Sequence, residues 1–425
     1  MIEKISLFRN KKEIFYLFVV SFVLLLLSIS LQYYNYKQLT KFDSALINAT
    51  VLKQYTKTKF TKRGKLKTYQ VLKLKSDKGF TFYTTASKKL KNIRYRHVQI
   101  EAWAGKITFY EYIHQFFAFT KVRRIYRKST LKNRLNKFIA AEHSNKNISS
   151  LYQALFTAKP LDRDLQTIFS NLGVSHLLAI SGFHLGVLSS ILFLLIRYPY
   201  KFLQNRYFPY RSYSLDSFMI ISIFLLVYLL FLGSPPSLLR AFVMLVIGFF
   251  LYDRGVKIVS MQTLFVTIVL ILAVFPRLFF SIGFWLSVSG VFYIFLFLIH
   301  FKYLNKFWQF ILIPFWVYLL MLPFSITIFG NFCLYHPLSI LWTSLFTLFY
   351  PISIVLHIIK HGDLFDSYLL YLINLDTHAV KIALDIKFLI AEIVLSLLAI
   401  YQKKFVYILL AYCFAIFIYL LLKLN

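Results

Sequence analysis

Nine apolar segments follow one another through the later part of the chain, near residues 174–196, 215–232, 237–251, 258–275, 279–299, 307–323, 337–359, 388–400 and 405–422. Most approach the ~20 apolar residues that a helix needs to cross a hydrocarbon layer. Lipid offers no partner to backbone N–H and C=O groups, so segments of this kind cross it as α-helices. An earlier apolar run, Ile14 to Leu31, follows Lys4, Arg9, Lys11 and Lys12. It is long and no small-residue cleavage site follows it, so it reads as an uncleaved helix rather than a signal peptide. The expected fold is an α-helical polytopic membrane protein with about 9–10 transmembrane helices plus amphipathic interfacial helices. Composition agrees, because 59% of the 425 residues are hydrophobic and the mean hydropathy is +0.64, which excludes a soluble globular chain.

Charge divides the chain. Residues 32–150 hold 27 Lys and Arg against 5 Asp and Glu, a net +22 of the total +33. That excess attracts polyanions or acidic lipid. Within residues 44–110 the stretches KTYQVLKLKS, GFTFYTT, HVQIEAW and GKITFYEY alternate at period 2, with turn signals at Asp77-Lys78-Gly79 and Ala104-Gly105. Five or so short strands predict a small β-barrel. Lysines interleave with Tyr69, Phe82, Tyr83, Trp103 and Phe109, so Lys53, Lys62, Arg63, Lys65, Lys67, Lys73, Lys75 and Trp103 are candidates for following a phosphate backbone and stacking bases. The competing reading has the aromatics filling the core and the lysines only solvating it. From Ile113 to Glu142 a basic helical pattern with Val122, Ile125, Leu131, Leu135 and Phe138 predicts an amphipathic helix on a lipid surface. The expected division is 1–31 for the first segment and helix, 32–112 for the basic domain, 113–145 for the basic helix and 146–425 for the bundle.

The bundle carries polar groups where leucine costs least. SHLLAISGFHLG, Ser175 to Gly186, sets His176, Ser181 and His184 at membrane depth. Unpaired in hydrocarbon each costs several kcal/mol, so such groups face a bundle interior or a water-filled path. Gly182 and Gly186 form a G-x-x-x-G step suited to close helix packing. GSPPSLLRA, Gly233 to Ala241, places two prolines at a span junction and Arg240 inside the next run; such irregular backbone is tolerated where it is buried or lines a cavity. Asp253 in a basic loop, SIGFWLSVSG from Ser281 to Gly290, and FGNFCLYHPLSI with Asn331, His336 and Pro337 complete the set. Residues 363–386 read as an interfacial helix. Cys333 and Cys413 lie in or beside apolar segments, without metal-type spacing.

The loops RYPYKFLQNRYFPYR, DRGVK and HFKYLNK are basic, whereas GSPP and FSITIFGNFCLYH carry no charge. Alternation from a cytoplasmic N-terminus puts every basic loop inside. The basic domain then lies outside, which the rule permits for long translocated domains.

GVSHLLAISGFHLG, GSPPSLLRAFVM, the spaced Asp253, and PRLFFSIGFWLSVSG followed by FGNFCLYHPLS resemble, in order and spacing across roughly residues 145–400, the competence domain of the ComEC/Rec2 family. The basic segment at 44–110 sits where that family carries an OB-like domain. The resemblance implies an inner-membrane DNA-uptake channel of natural transformation that passes single-stranded DNA into the cytoplasm. It implies channel or motif roles for His176, Ser181, Gly182, His184, Gly186, Pro236, Ser237, Arg240, Asp253, Gly283, Phe284, Leu286 and Ser287. The partners it implies are single-stranded DNA, membrane lipids, a periplasmic DNA-receptor protein, a cytoplasmic ATPase or helicase and single-stranded-DNA-binding proteins. A homodimer and a single-chain pore both stay open. Family members usually have Gln where this chain has Trp285. The similarity is to the form lacking a C-terminal metallo-β-lactamase-like domain, since no H-x-H-x-D-H cluster occurs.

Three other expectations follow. His357 and His361 sit i, i+4 with Asp363 nearby, but no third strong ligand follows them, and neither a metal nor any other cofactor is expected. Ser181 with His184 is a poor nucleophile and base pair, lacking an orienting carboxylate and a nucleophile elbow, so an intramembrane serine hydrolase is disfavoured and no enzyme is expected. A small-molecule or ion transporter is the stronger rival, because broken helices and midplane polar groups also mark substrate sites; it has no need of the external basic domain. No Walker A sequence is present, so energy comes from a partner or the proton-motive force.

Overall fold

The computed structural model describes residues 7, 8, 10–60, 66–126, 131–256, 258–375 and 379–424. They fall into two compact units, one built on Lys11–Leu131 with Val269–Phe280 and the other on Met1–Asn10, Lys132–Ile268 and Ser281–Asn425.

The first unit opens with helix α1 (Lys11–Thr40), the apolar run expected from the sequence. Strands β1 (Ala45–Phe60), β2 (Leu66–Ser76), β3 (Thr81–Ala86) and β4 (His97–Trp103) follow, then helix α2 (Phe109–His114) and strands β5 (Phe116–Phe117) and β6 (Phe119–Ile125). Sheet order is β5-β3-β2-β1-β4-β6, antiparallel except for the β3–β5 pair. Gly79 takes a φ of +86° in the expected β2–β3 turn, a conformation glycine adopts without a Cβ clash. One face of the sheet supplies Val51, Leu72, Leu74, Phe82, Val98 and Ile100 to a core completed by Phe80 of the β2–β3 turn and Tyr112 of α2. Arg277, from a 3₁₀ turn at Pro276–Phe280, lies 4.6 Å from the Tyr112 ring centre and donates to Gln32 Oε1 at 2.8 Å. These contacts tie the turn to both α1 and α2.

Two expectations fail here for the same reason. The basic segment after Ile113 is not one long amphipathic helix: Val122 and Ile125 sit in β6, paired with Ile100 and Val98 of β4. Val122 and Ile125 have a helical three-residue spacing, but a bulge at Arg123 brings both to one face of a strand that pairs with the free edge of β4. Nor is the sheet a closed barrel. The stretch from Phe116 to Ile125 supplies both edges, β5 against β3 and β6 against β4, and it leaves the ladder at Ala118, whose N–H donates to Tyr83 O at 3.0 Å.

The second unit holds α3 (Leu131–Ala141), α4 (Lys146–Thr157), α5 (Arg163–Asn171), α6 (Ser175–Leu178), α7 (Gly182–Tyr207), α8 (Tyr213–Leu232), α9 (Pro236–Asp253), most of α10 (Met261–Val274), α11 (Ile282–His300), α12 (Lys306–Phe329), α13 (Ser339–Ile358), α14 (Asp366–Ile373), α15 (Ile386–Tyr401) and α16 (Lys403–Leu422). Among the described residues eight helices are long and apolar enough to cross a membrane, not nine or ten. The shortfall lies in α10 with 14 residues and α15 with 16. The amphipathic pattern at 363–386 also resolves differently. It gives only the eight-residue α14, and Val380–Lys381 (β8) pairs with Asn331–Phe332 (β7), drawing Ile382 N–H onto Gly330 O at 2.8 Å.

The sheet unit has its own core, which makes its stability separable. Phe82 is fully buried and stacks on Phe116 at 5.3 Å. Phe82→Ala in the full chain is expected to cost the sheet about 3–5 kcal/mol. Limited proteolysis checks this: cleavage within 45–125 should accelerate while the fragment spanning α7 to α16 stays protected.

Candidate functional site

The motif segments meet around a helix break. SHLLAISG is not one helix: α6 stops after a turn, Ala179 and Ser181 are extended, and α7 starts at Gly182. Ser181 is the N-cap of α7 and His184 its third residue. His184 Nδ1 accepts the Ser181 backbone N–H at 3.1 Å and lies 3.1 Å from Ser181 Oγ, so the pair forms a capping box with His in place of the usual Glu. With Nδ1 accepting, a neutral His184 carries its proton on Nε2. The ring is 1% exposed and packs edge-on to Tyr350 at 4.4 Å, and among the described residues Nε2 has no partner.

Each flank of the break is held by another motif. Ser237 Oγ donates to Ile180 O at 2.7 Å. Pro235 is the N-cap of α9 and Pro236 its first residue, so the prolines open a helix rather than interrupt one, and the missing N–H costs nothing there. A Cβ on Gly182 would lie 3.1 Å from Ala241 Cβ and 3.5 Å from Arg240 Nη2. On the other side, a Cβ on Gly173 would lie 2.9 Å from the His336 ring. His176 reaches Thr343 Oγ1 at 3.1 Å, and Cys333 Sγ donates to Asn171 O at 2.9 Å.

Arg240 is the charged centre of this group. It is 4% exposed; Nε donates to Ser287 Oγ at 2.9 Å, and Nη1 lies 2.8 Å from Met244 Sδ. Among the described residues no carboxylate lies within ion-pair distance of it. Phe284, fully buried, opens α11 beneath the Ser281 cap. A guanidinium has five N–H donors, and a buried one without a counter-charge is costly. The arrangement therefore suits an anion whose oxygens take the remaining donors.

Other motif residues stand apart. Asp253 is exposed at the far end of α9, 13 residues beyond Arg240 and thus about 20 Å along the axis. Gly186 has open space where a Cβ would go, so close packing uses Gly182 alone and the G-x-x-x-G face is not formed. Gly283 is exposed; Leu286 and Ser287 are half-buried.

In the sheet, Lys53 and Lys73 are cross-strand partners, and Lys73 pairs with Tyr83 on its other side, its Nζ 5.4 Å from that ring centre. Burial holds the Lys73 and Lys75 ammonium groups below the usual lysine pKa. Trp103 is 45% exposed and pairs with Phe119. This outward face carries both lysines and aromatics. Lys62, Arg63 and Lys65 lie outside the described residues, as does the side chain of Lys67.

A second polar cluster escaped the sequence reading. His143 Nδ1 lies 2.9 Å from Asp366 Oδ1, His143 Nε2 lies 3.1 Å from His357 Nε2, and the His143 ring stacks on Tyr152 at 4.5 Å. Glu142 Oε2 accepts the Gly362 N–H at 3.0 Å. His357 is thus paired with His143 and not with His361, which is exposed. Separations above 200 residues leave no local signal for such a cluster.

The two glycines give a sharp contrast to measure. Gly182→Leu must push α7 from α9 and is expected to cost about 1–3 kcal/mol. Gly186→Ala, in open helix, should be neutral or stabilising by up to about 1 kcal/mol. Thermal aggregation midpoints of the two purified variants should therefore move in opposite directions or leave Gly186→Ala unmoved.

No curated protein and no solved structure matches the chain. A family model described as Competence protein matches residues 157–425, which include every helix around the break. The chain belongs to the competence protein family, of the ComEC/Rec2 type.

Proposed function

We propose that the chain is the inner-membrane conduit through which single-stranded DNA enters the cytoplasm. The observation that carries this reading is Arg240, a buried guanidinium without a carboxylate, set where capped helix starts from three motifs converge. Phosphodiesters are anions of the kind it lacks. The basic, aromatic outer face of the sheet supports the reading, as a groove that tracks a backbone and stacks bases combines the same two features. The Ser181–His184 pair, built as a helix cap, favours a conduit over a hydrolase. Removal of the second strand and supply of energy then fall to other proteins or to the proton-motive force.

Arg240→Ala should reduce uptake of labelled DNA by roughly 10- to 100-fold, as loss of a charged hydrogen bond costs about 1.5–3 kcal/mol. Protein level and membrane insertion should be unchanged. Normal transformation by this variant would return Arg240 to a structural role, and arrested metabolite uptake with normal DNA uptake would favour the transporter reading. In the proposed orientation the N-terminus is cytoplasmic and the basic domain periplasmic. Reporters fused after residues 110 and 330 should then read outside, and those after 205 and 303 inside.

For the sheet, Lys73→Ala with Lys75→Ala in the full chain should flatten the plot of log K against log salt by about 1.4, at 0.7 per lost contact to a single strand. The same flattening should appear in the native chain as pH rises. The sign follows from the lowered lysine pKa values, since a lowered value discharges the ammonium before ordinary lysines discharge.

A further inference from the structure

Glu392 lies on α15 and is fully buried. It borders a core that includes Leu296, Trp316, Leu320, Leu409 and Cys413. Its Oε1 accepts the Tyr293 hydroxyl at 2.9 Å, and that hydroxyl lies 3.1 Å from Ser396 Oγ. Among the described residues its Oε2 has no partner. The titratable groups facing it are Tyr293 from α11 and Tyr412 and Cys413 from α16. Among the described residues no lysine, arginine or histidine lies within ion-pair distance.

A carboxylate with one neutral donor and an orphaned oxygen is not a stable occupant of such a core. Packing alone is served better by leucine or methionine at this position. A carboxyl at this depth in a helical bundle is the group that proton-driven membrane proteins employ.

Tyr293 sits on α11, six residues and about 9 Å along the axis from Ser287, which holds Arg240. One helix therefore touches both the unpaired cation and the buried acid. We propose that Glu392 is a proton-binding site coupled through α11 to anion binding at Arg240. The inference rests on the reading of Arg240 as an anion site.

The sign follows from charge. Negative charge arriving at Arg240 disfavours a second negative charge on Glu392, so at a pH high enough to ionise Glu392 before binding, anion binding draws a proton from solvent onto its carboxylate oxygen. By reciprocity, acid conditions tighten anion binding by the same factor.

The test uses the full chain in lipid nanodiscs with single-stranded oligothymidylate as the probe, binding being followed by anisotropy. Proton uptake is read from the binding enthalpy in buffers of different ionisation enthalpy. At alkaline pH, where the free chain's Glu392 is ionised, binding should take up protons, and acidification through that range should tighten binding by about 5- to 150-fold, the usual range of site-to-site coupling. Glu392→Gln, which keeps the Tyr293 hydrogen bond, should bind without proton uptake or pH dependence, and Arg240→Ala should abolish the linked uptake. If Glu392→Gln does not fold, the wild-type and Arg240→Ala measurements decide. Binding by the wild type without proton uptake, or uptake unchanged in Glu392→Gln or in Arg240→Ala, overturns the proton site. Oligothymidylate binding unaffected by Arg240→Ala at every pH overturns the anion reading itself, and the coupling with it.

Discussion

A helix that starts inside an apolar bundle exposes up to four N–H groups that have no water to meet, and the break between α6 and α7 creates such a start. Its solution is local. His184 returns its ring to the Ser181 N–H, Ser237 donates to the Ile180 carbonyl, and Gly182 lets α9 approach closely enough for the Ser237 bond. Remove the His184 or the Ser237 side chain and an unpaired backbone group is left in a low-dielectric interior, at a cost of about 1–3 kcal/mol. The break in turn fixes where α9 begins, and so where Arg240 points its guanidinium. The polar residues of the motif thus serve the backbone first, while Arg240 and the His184 Nε2–H retain donors to spare.

The bundle's two isolated charges are placed differently. Arg240 stays charged in any environment, since a guanidinium does not deprotonate in proteins. Its burial therefore demands a partner and predisposes the site to an anion. Glu392 can escape its burial by taking a proton, which a guanidinium cannot do by losing one. That asymmetry makes the pair suited to linkage, with one fixed charge and one variable one on neighbours of a single helix. His143 and Asp366 show the opposite strategy, a pair in which the His143 Nδ1 lies 2.9 Å from the Asp366 carboxylate.

The sequence made legible what local chemistry determines. Apolar run lengths gave the helices of the bundle; the Asp77-Lys78-Gly79 turn and the alternation around it gave β2 and β3. It misled at Val122 and Ile125, whose three-residue spacing reads as helical, because the deciding factors were a bulge at Arg123 and an unpaired edge of β4 over 20 residues away. Hydropathy also merged α6 and α7, since Ala179 and Ile180 are apolar whether helical or extended. The Ser181-x-x-His184 spacing was a usable cap signal, hidden by the substitution of His for Glu. Glu392 stood in plain view as the one acid of its apolar segment, yet its significance needed Tyr293, 99 residues away, to appear beside it.

The contrast between the two units bears on how a polyanion is handled. On the sheet, lysines stand beside aromatics with water at hand, where each phosphate contact is weak, exchangeable and screened by salt. At Arg240 the guanidinium is buried, where the same charge acts at low dielectric and screening falls away. On the proposed function, a phosphate bound there would make one strong contact in place of many weak ones. Such a strong contact would trap its ligand unless something weakens it in step. A nearby carboxyl that can lose its proton supplies a competing negative charge, which makes a titratable acid beside the same helix more than a packing accident.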